Sequence, residues 1–158
     1  MQNISQGEKI QFTGLPVFAP EFLRAVRSLD PMKAKHLEKA LTQFAEEGMS
    51  KLFKPQLGSG WVIGVVGILQ FDVLESRIKN EYGLTVRFEK SAFTSARWIR
   101  GDSEEIEKFS LANKSHMATD HDNDHVFLTR IQWDIDRVKR DHPRIDLLET
   151  KEINLTKK

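Results

Sequence analysis

The chain has 158 residues, a formal net charge of +1, no cysteine, and 39% hydrophobic against 30% charged residues. Disulfides, zinc–thiolate centres and thiol nucleophiles are thereby excluded, and the length suffices for one domain, or two small halves sharing a core, that folds without staples. Residues 1–100 hold 14 Lys/Arg against 10 Asp/Glu and residues 101–158 hold 10 against 13, too mild an asymmetry for a freely nucleic-acid-binding protein but compatible with a local basic patch.

Gly7 to Phe12 alternates loosely and reads as a strand within a remnant or linker, residues 1–15, whose natural partners lie elsewhere. Pro16 and Pro20 punctuate a connector, and Phe22 to Val26 reads as a short strand. Asp30-Pro31 is a helix start, with Asp as N-cap and Pro at the first helical position, where its missing N–H is not needed. Leu37, Leu41 and Phe44 recur at helical spacing until Gly48 ends the run. Lys51 to Phe53 and Trp61 to Val66, on either side of Gly58-Ser59-Gly60, predict a hairpin. Gly67 opens a second helix with Phe71, Leu74 and Ile78 on one face, reinforced by Val73, and with Glu75 and Lys79 four apart on a solvent-facing edge. Gly83 ends it, and Leu84, Val86 and Phe88 alternate as a strand. The order β-α-β-β-α-β over residues 16–90 predicts a ferredoxin-like half with both helices on one face of an antiparallel sheet.

Residues 91–150 repeat the alternation as a smaller β-α-β-α-β half. Ala96 to Ile99 is a strand, and Asp102 with Glu105 predicts a capping box for a helix bearing Ile106, Phe109 and Ala112. A loop over Asp120 to His125 leads to a strand at Val126 to Leu128. Ile131, Ile135 and Val138 mark a last helix stopped near Pro143, and Ile145 to Leu148 closes as a strand. The class is therefore α+β, one domain over residues 16–150 followed by a frayed tail, 151–158. No sequence repeat links the halves.

Little here reads as catalytic. A nucleoside triphosphatase needs a Gly-x-x-x-x-Gly-Lys-Ser/Thr loop to cradle phosphates, and Gly58, Gly60, Gly64 and Gly67 have no such lysine. Asn113-Lys114-Ser115-His116 lacks the closing carboxylate of a guanine-reading Asn-Lys-x-Asp motif and falls in a predicted helix. Gly64 and Gly67 read as a structural corner that lets the second helix fold back tightly on its sheet, or alternatively as a corner facing a neighbouring domain. Asp120, Asp122 and Asp124 have calcium-loop spacing, but His125 stands where glycine is needed and Ile131 where glutamate is needed. His116, His121 and His125 bind a metal only if the backbone gathers them. The expectation is a solvated polar loop, no catalytic or nucleotide-binding residue, and no metal. The longest apolar run, Trp61 to Leu69, is broken by glycines and too short for a bilayer, and residues 1–6 lack the apolar core of a signal peptide. The chain reads as soluble and cytoplasmic, with neither membrane nor DNA as a partner.

Four segments carry a resemblance: Phe12 to Glu21, Asp30-Pro31 through Gly48, Trp61 to Lys79 with Gly64-Val65-Val66-Gly67-Ile68-Leu69-Gln70-Phe71-Asp72-Val73 at its centre, and Phe93-Thr94-Ser95-Ala96-Arg97-Trp98-Ile99. Together, over roughly residues 8–150, they make the chain similar to the carboxy-terminal domain of the bacterial class II peptide chain release factors. The departures are Asp120 to Asp124 and the end after Glu149. The resemblance implies a ribosome-contacting, conformational-relay domain of a translation-termination GTPase that promotes departure of the class I release factor. GTP and Mg²⁺ would belong to the full-length protein, not to this piece. Its partners would be the small ribosomal subunit, protein and RNA, and the GTPase and β-barrel domains of the same chain. Arg24, Arg27, Lys33, Lys35, Arg77 and Lys79 are the candidate ribosomal contacts. Trp61 and Trp98 read as core, while Trp133 falls between the apolar positions of its helix. Two competing readings are a ligand-binding regulatory ferredoxin-like module and a metal-dependent enzyme built on the histidine loop.

Overall fold

The computed structural model describes residues 15–58 and 60–153, so the strand expected over Gly7 to Phe12 lies outside the described residues. The elements run β1 (Leu15–Phe18), β2 (Phe22–Ser28), α1 (Ala34–Glu46), β3 (Lys51–Pro55), β4 (Trp61–Val65), α2 (Gln70–Tyr82) and β5 (Val86–Lys90). They continue as β6 (Ser95–Arg100), α3 (Ser103–Ala112), β7 (Met117–Thr119), β8 (His125–Thr129), α4 (Gln132–Asp141), β9 (Asp146–Leu148) and β10 (Thr150–Ile153).

The first half forms where its periodicity puts it. Asp30 accepts the N–H of Met32 at 3.1 Å, and Pro31 opens a short 3-10 turn leading into α1. Leu37, Ala40, Leu41, Phe44 and Ala45 are buried along one face of α1, and Phe71, Leu74 and Ile78 along one face of α2. Gly83 ends α2 at φ 67°, a left-handed conformation that side chains resist, and its N–H returns to the Lys79 carbonyl at 3.0 Å. Val73 is 45% exposed instead of reinforcing the buried face. Asp102 precedes α3 with extended backbone but makes no capping bond through its side chain.

Strands β2 to β9 form one antiparallel sheet in the order β5-β2-β4-β3-β7-β8-β6-β9. Within each half the chain runs β-α-β-β-α-β. The halves are laid down as β5-β2-β4-β3 and, in mirrored sequence, β7-β8-β6-β9. The α+β class and the ferredoxin-like first half agree with the sequence reading. The second half carries one strand more than expected, because β7 spans three residues, Met-Ala-Thr, too few to display alternation. The halves meet at β3 and β7 through two residue pairs, Lys54↔Thr119 and Pro55↔Ala118.

The helix side of the first half buries Val26, Leu52, Ile63 and Val65 beneath α1 and α2. That of the second half buries Met117 and Phe127 with Phe109 of α3 and Val138 of α4. The opposite faces of both halves converge: Leu23, Phe53 and Val62 share a third core with Ala96, Trp98, Ala118, Val126 and Leu128. The sheet thus turns its bare faces toward each other and carries its helix pairs outside.

Residues 150–153 correct the expectation of a frayed tail from Lys151. β10 pairs antiparallel with β1 from Leu15↔Ile153 to Phe18↔Thr150, and the Ala19 N–H donates to the Glu149 carbonyl at 2.7 Å. Pro16 therefore sits in a strand of a two-stranded ribbon, where a missing N–H is tolerated, and not in an open connector. Among the described residues no helix is long and apolar enough to cross a membrane.

Candidate docking surface

The corner between β4 and α2 is built by Gln70. Its Oε1 accepts the backbone N–H groups of Val66 at 3.1 Å and Gly67 at 3.0 Å, closing residues 66–69 into a tight turn. A Cβ placed on Gly64 would stand 2.7 Å from Pro20 Cβ, nearer still to Pro20 Cγ, and 3.0 Å from Leu23 Cδ2. Gly64 is therefore required by Pro20, which crosses the bare face of β4, and not by the fold-back of α2. Gly67 meets nothing closer than Gln70 Oε1 at 3.9 Å. It joins the corner through its backbone alone, its N–H donating to Gln70 Oε1 and its carbonyl accepting the Gln70 N–H at 3.0 Å, so the expected equivalence of the two glycines does not hold.

This corner leaves large apolar side chains in solvent. Leu69 is 74% exposed, and Val66, Ile68 and Val73 are exposed beside it. Phe18 and Val66 line the same shallow depression with Pro20 and Met49. Exposed apolar side chains gathered in this way on a well-packed body make a candidate contact surface. Sequence periodicity cannot find it, because a four-residue turn has no repeating face. The signal available was the run Val65-Val66-Gly67-Ile68-Leu69, too apolar for a loop tip.

The six basic residues singled out in the sequence occupy four segments. Arg24 on β2 places its guanidinium 5.3 Å from the centre of the Phe71 ring. Arg27 pairs with Glu89 at 3.5 Å, and Lys33 with Asp30 at 4.0 Å. Arg77 is the most engaged. It forks onto Glu81 at 2.6 and 3.0 Å, reaches Glu47 at 3.1 Å, and lies 4.6 Å from the Phe44 ring centre. The hydrogen bonds it donates to Glu81 and then to Glu47 hold its pKa above the ordinary guanidinium value. It clamps α1 to α2, which leaves little of the fork for a phosphate. Lys35 and Lys79 are exposed on α1 and α2. Lys35 borders a shallow groove with Glu38 and Glu46.

The acidic loop is solvated in part, at Asp122, Asn123 and His125, but is anchored through a buried Asp120. Asp120 is 1% exposed; its Oδ1 accepts the N–H groups of Asp122 and Asp124, both at 2.9 Å, and its Oδ2 accepts Trp98 Nε1–H at 3.0 Å. Lys151 of β10 inserts its ammonium among the three carboxylates, 2.5 Å from Asp120, 3.1 Å from Asp122 and 2.6 Å from Asp124. Burial alone would lower the Lys151 pKa, but the bonds to Asp120 and Asp124 outweigh it and hold the pKa above the usual value. A cation entering between these oxygens, which lie within 4.8 Å of one another, would have to displace that ammonium. The histidines go separate ways: His116 Nδ1 bonds the Leu128 carbonyl at 2.8 Å, His121 faces Asp122 at 3.5 Å, and His125 is exposed. Lys151 was missed because it was assigned to the tail.

A cavity of about 730 Å³ lies on the helix side of the β3–β7 seam, lined by Lys54, Ile106, Glu107, Ser110, Met117 and His125 among others. Ser110 Oγ is buried there with no hydrogen-bond partner among the described residues.

Compared with known protein families, the chain matches one described as class II release factor RF3, C-terminal domain, over residues 12–139.

Proposed function

The chain belongs to the family of class II release factor RF3 C-terminal domains, and we propose that it is the docking and relay domain of a translation-termination GTPase. In this reading the apolar corner at Val66, Ile68, Leu69 and Val73 seats against the GTPase and β-barrel domains of the same chain. GTP and Mg²⁺ are held there, and this domain performs no chemistry. Its body contacts the small ribosomal subunit in the cytoplasm, and its reorientation promotes departure of the class I release factor.

One observation carries the reading: the resemblance-bearing segment, Gly64 to Val73, also forms the exposed apolar corner. The corner is stiffly coupled to the rest. Gln70 ties it to the start of α2, and Arg77 ties α2 to α1 through Glu47. A displacement imposed there moves the whole body, as a hinge-type switch requires.

The test is Leu69→Asp in the full-length factor. Because Leu69 is exposed, the fold should persist. Release of the class I factor from terminated ribosomes should slow about tenfold or more, the loss typical of a central contact residue. GTP turnover without ribosomes should stay within about twofold of the parent. Unchanged release of the class I factor by the variant would refute the corner as a domain contact.

A further inference from the structure

The outer face of α4 presents Trp133, 53% exposed, with the guanidinium carbons of Arg137 and Arg140 5.7 and 5.9 Å from its ring centre. The three positions are four and seven apart and share one side of the helix, while Asp134, Ile135 and Val138 turn inward. Asp134 accepts the backbone N–H groups of Arg130 at 2.8 Å and Ile131 at 3.2 Å. That leaves Asp136 and Asp141 as the exposed carboxylates of residues 130–144, against Arg130, Arg137, Lys139, Arg140 and Arg144. Arg137 is steadied by Asn113 Oδ1 at 3.2 Å, and Arg140, its side chain 65% exposed, donates its Nε–H to Asp141 at 3.0 Å. Ile131 is exposed at the start of the same helix.

We propose that this face binds single-stranded RNA, with Trp133 as the platform on which one base stacks and Arg137, Arg140 and Lys139 on the flanking phosphates. Exposed aromatic area and surplus cations on one face match a polymer that alternates π-faces with anions. An acidic peptide would satisfy the cations but not the ring. The proposal deepens the docking reading and rests on it for the source of the RNA. It also moves the RNA contact from the first half of the chain to the second.

The purified chain should be titrated, at low salt, into fluorescein-labelled oligouridylate and oligoadenylate of about twelve nucleotides, a length that spans one such site. Binding should raise anisotropy and quench tryptophan emission. Trp133→Ala should weaken it about tenfold while Trp133→Phe retains most of it. Arg137→Gln and Arg140→Gln should each weaken it and lower the slope of log affinity against log salt by about 0.7. Arg87→Gln, on β5 at the far end of the sheet, should change nothing. Failure of the parent to bind either oligonucleotide overturns the proposal, as does an Arg87→Gln loss equal to that of Arg140→Gln. So does unchanged RNA affinity in Trp133→Ala, including the case where that variant instead loses binding to RNA-free ribosomal proteins and marks the face as a protein-docking surface. None of these results involves Leu69, so the release assay separates failure here from failure of the docking reading.

Discussion

Replacing Gly64 with alanine tests the tightest approach at any glycine among the described residues. The added Cβ would lie 2.7 Å from Pro20 Cβ and 3.0 Å from Leu23 Cδ2, where ordinary contact needs roughly a further 0.5–1 Å. Neither neighbour yields easily: Pro20 is a ring fixed in its own backbone, and Leu23 is buried in the shared core. Overpacking of this kind costs about 1–3 kcal/mol, and the lower unfolded-state entropy of alanine returns about 0.5–1 kcal/mol. A Cβ this close to ring carbons belongs at the upper end of that cost, so the net loss is about 2–2.5 kcal/mol, or about 4–10 °C in Tm for a domain of this size. Urea denaturation with matched calorimetry reads it, with Gly67→Ala as the comparison, expected within about 0.5 kcal/mol of the parent. Adding Pro20→Ala should recover part of the Gly64→Ala loss, a positive coupling between touching sites. Stability of Gly64→Ala equal to the parent, or an equal loss from Gly67→Ala, would refute the close-approach account.

Lys151→Met should destabilise by about 2–3 kcal/mol in urea melts, less than a fully buried pair because Asp122 and Asp124 reach solvent. Millimolar calcium should restore stability to that variant and leave the parent unmoved, since only the variant frees the carboxylates. The Lys151 pKa is raised in the folded chain, so its contribution is complete below the unfolded value near 10.5 and is lost only as pH climbs through the folded value. Asp134→Ala should cost about 1–2 kcal/mol by unbonding the start of α4. Burial alone would raise the Asp134 carboxyl, but the Arg130 and Ile131 N–H bonds bring it below its ordinary 3.8. That stabilisation is therefore full above pH 3.8 and lost as acid titrates the folded carboxylate, so acid melts of Asp134→Asn should show a flatter limb.

What the sequence disclosed depended on how long each signal ran. Thirteen residues of α1 repeat their apolar face often enough to be unmistakable, and Gly83 announces the end of α2 because few other residues accept its φ. Three residues of β7 repeat nothing, and β10, Thr-Lys-Glu-Ile, shows its role only through its pairing with β1. The same limit governed the contact surfaces. Basic residues were visible by type, but their availability depends on partners distant in sequence, as when Glu47 reaches across thirty positions to Arg77. Trp98 was legible as core; its hydrogen bond to Asp120, which turns an apparent calcium loop into an anchor for Lys151, was not.

The core enclosed between the two bare sheet faces has a mechanical consequence. Two ferredoxin-like halves joined by two residue pairs alone would flex about that strip like a book on its spine. Trp98, Phe53 and their neighbours fill the space between the covers, so bending the halves apart would expose apolar surface to water. The shared core therefore opposes bending of one half against the other, a stiffness that the two-pair seam by itself would lack.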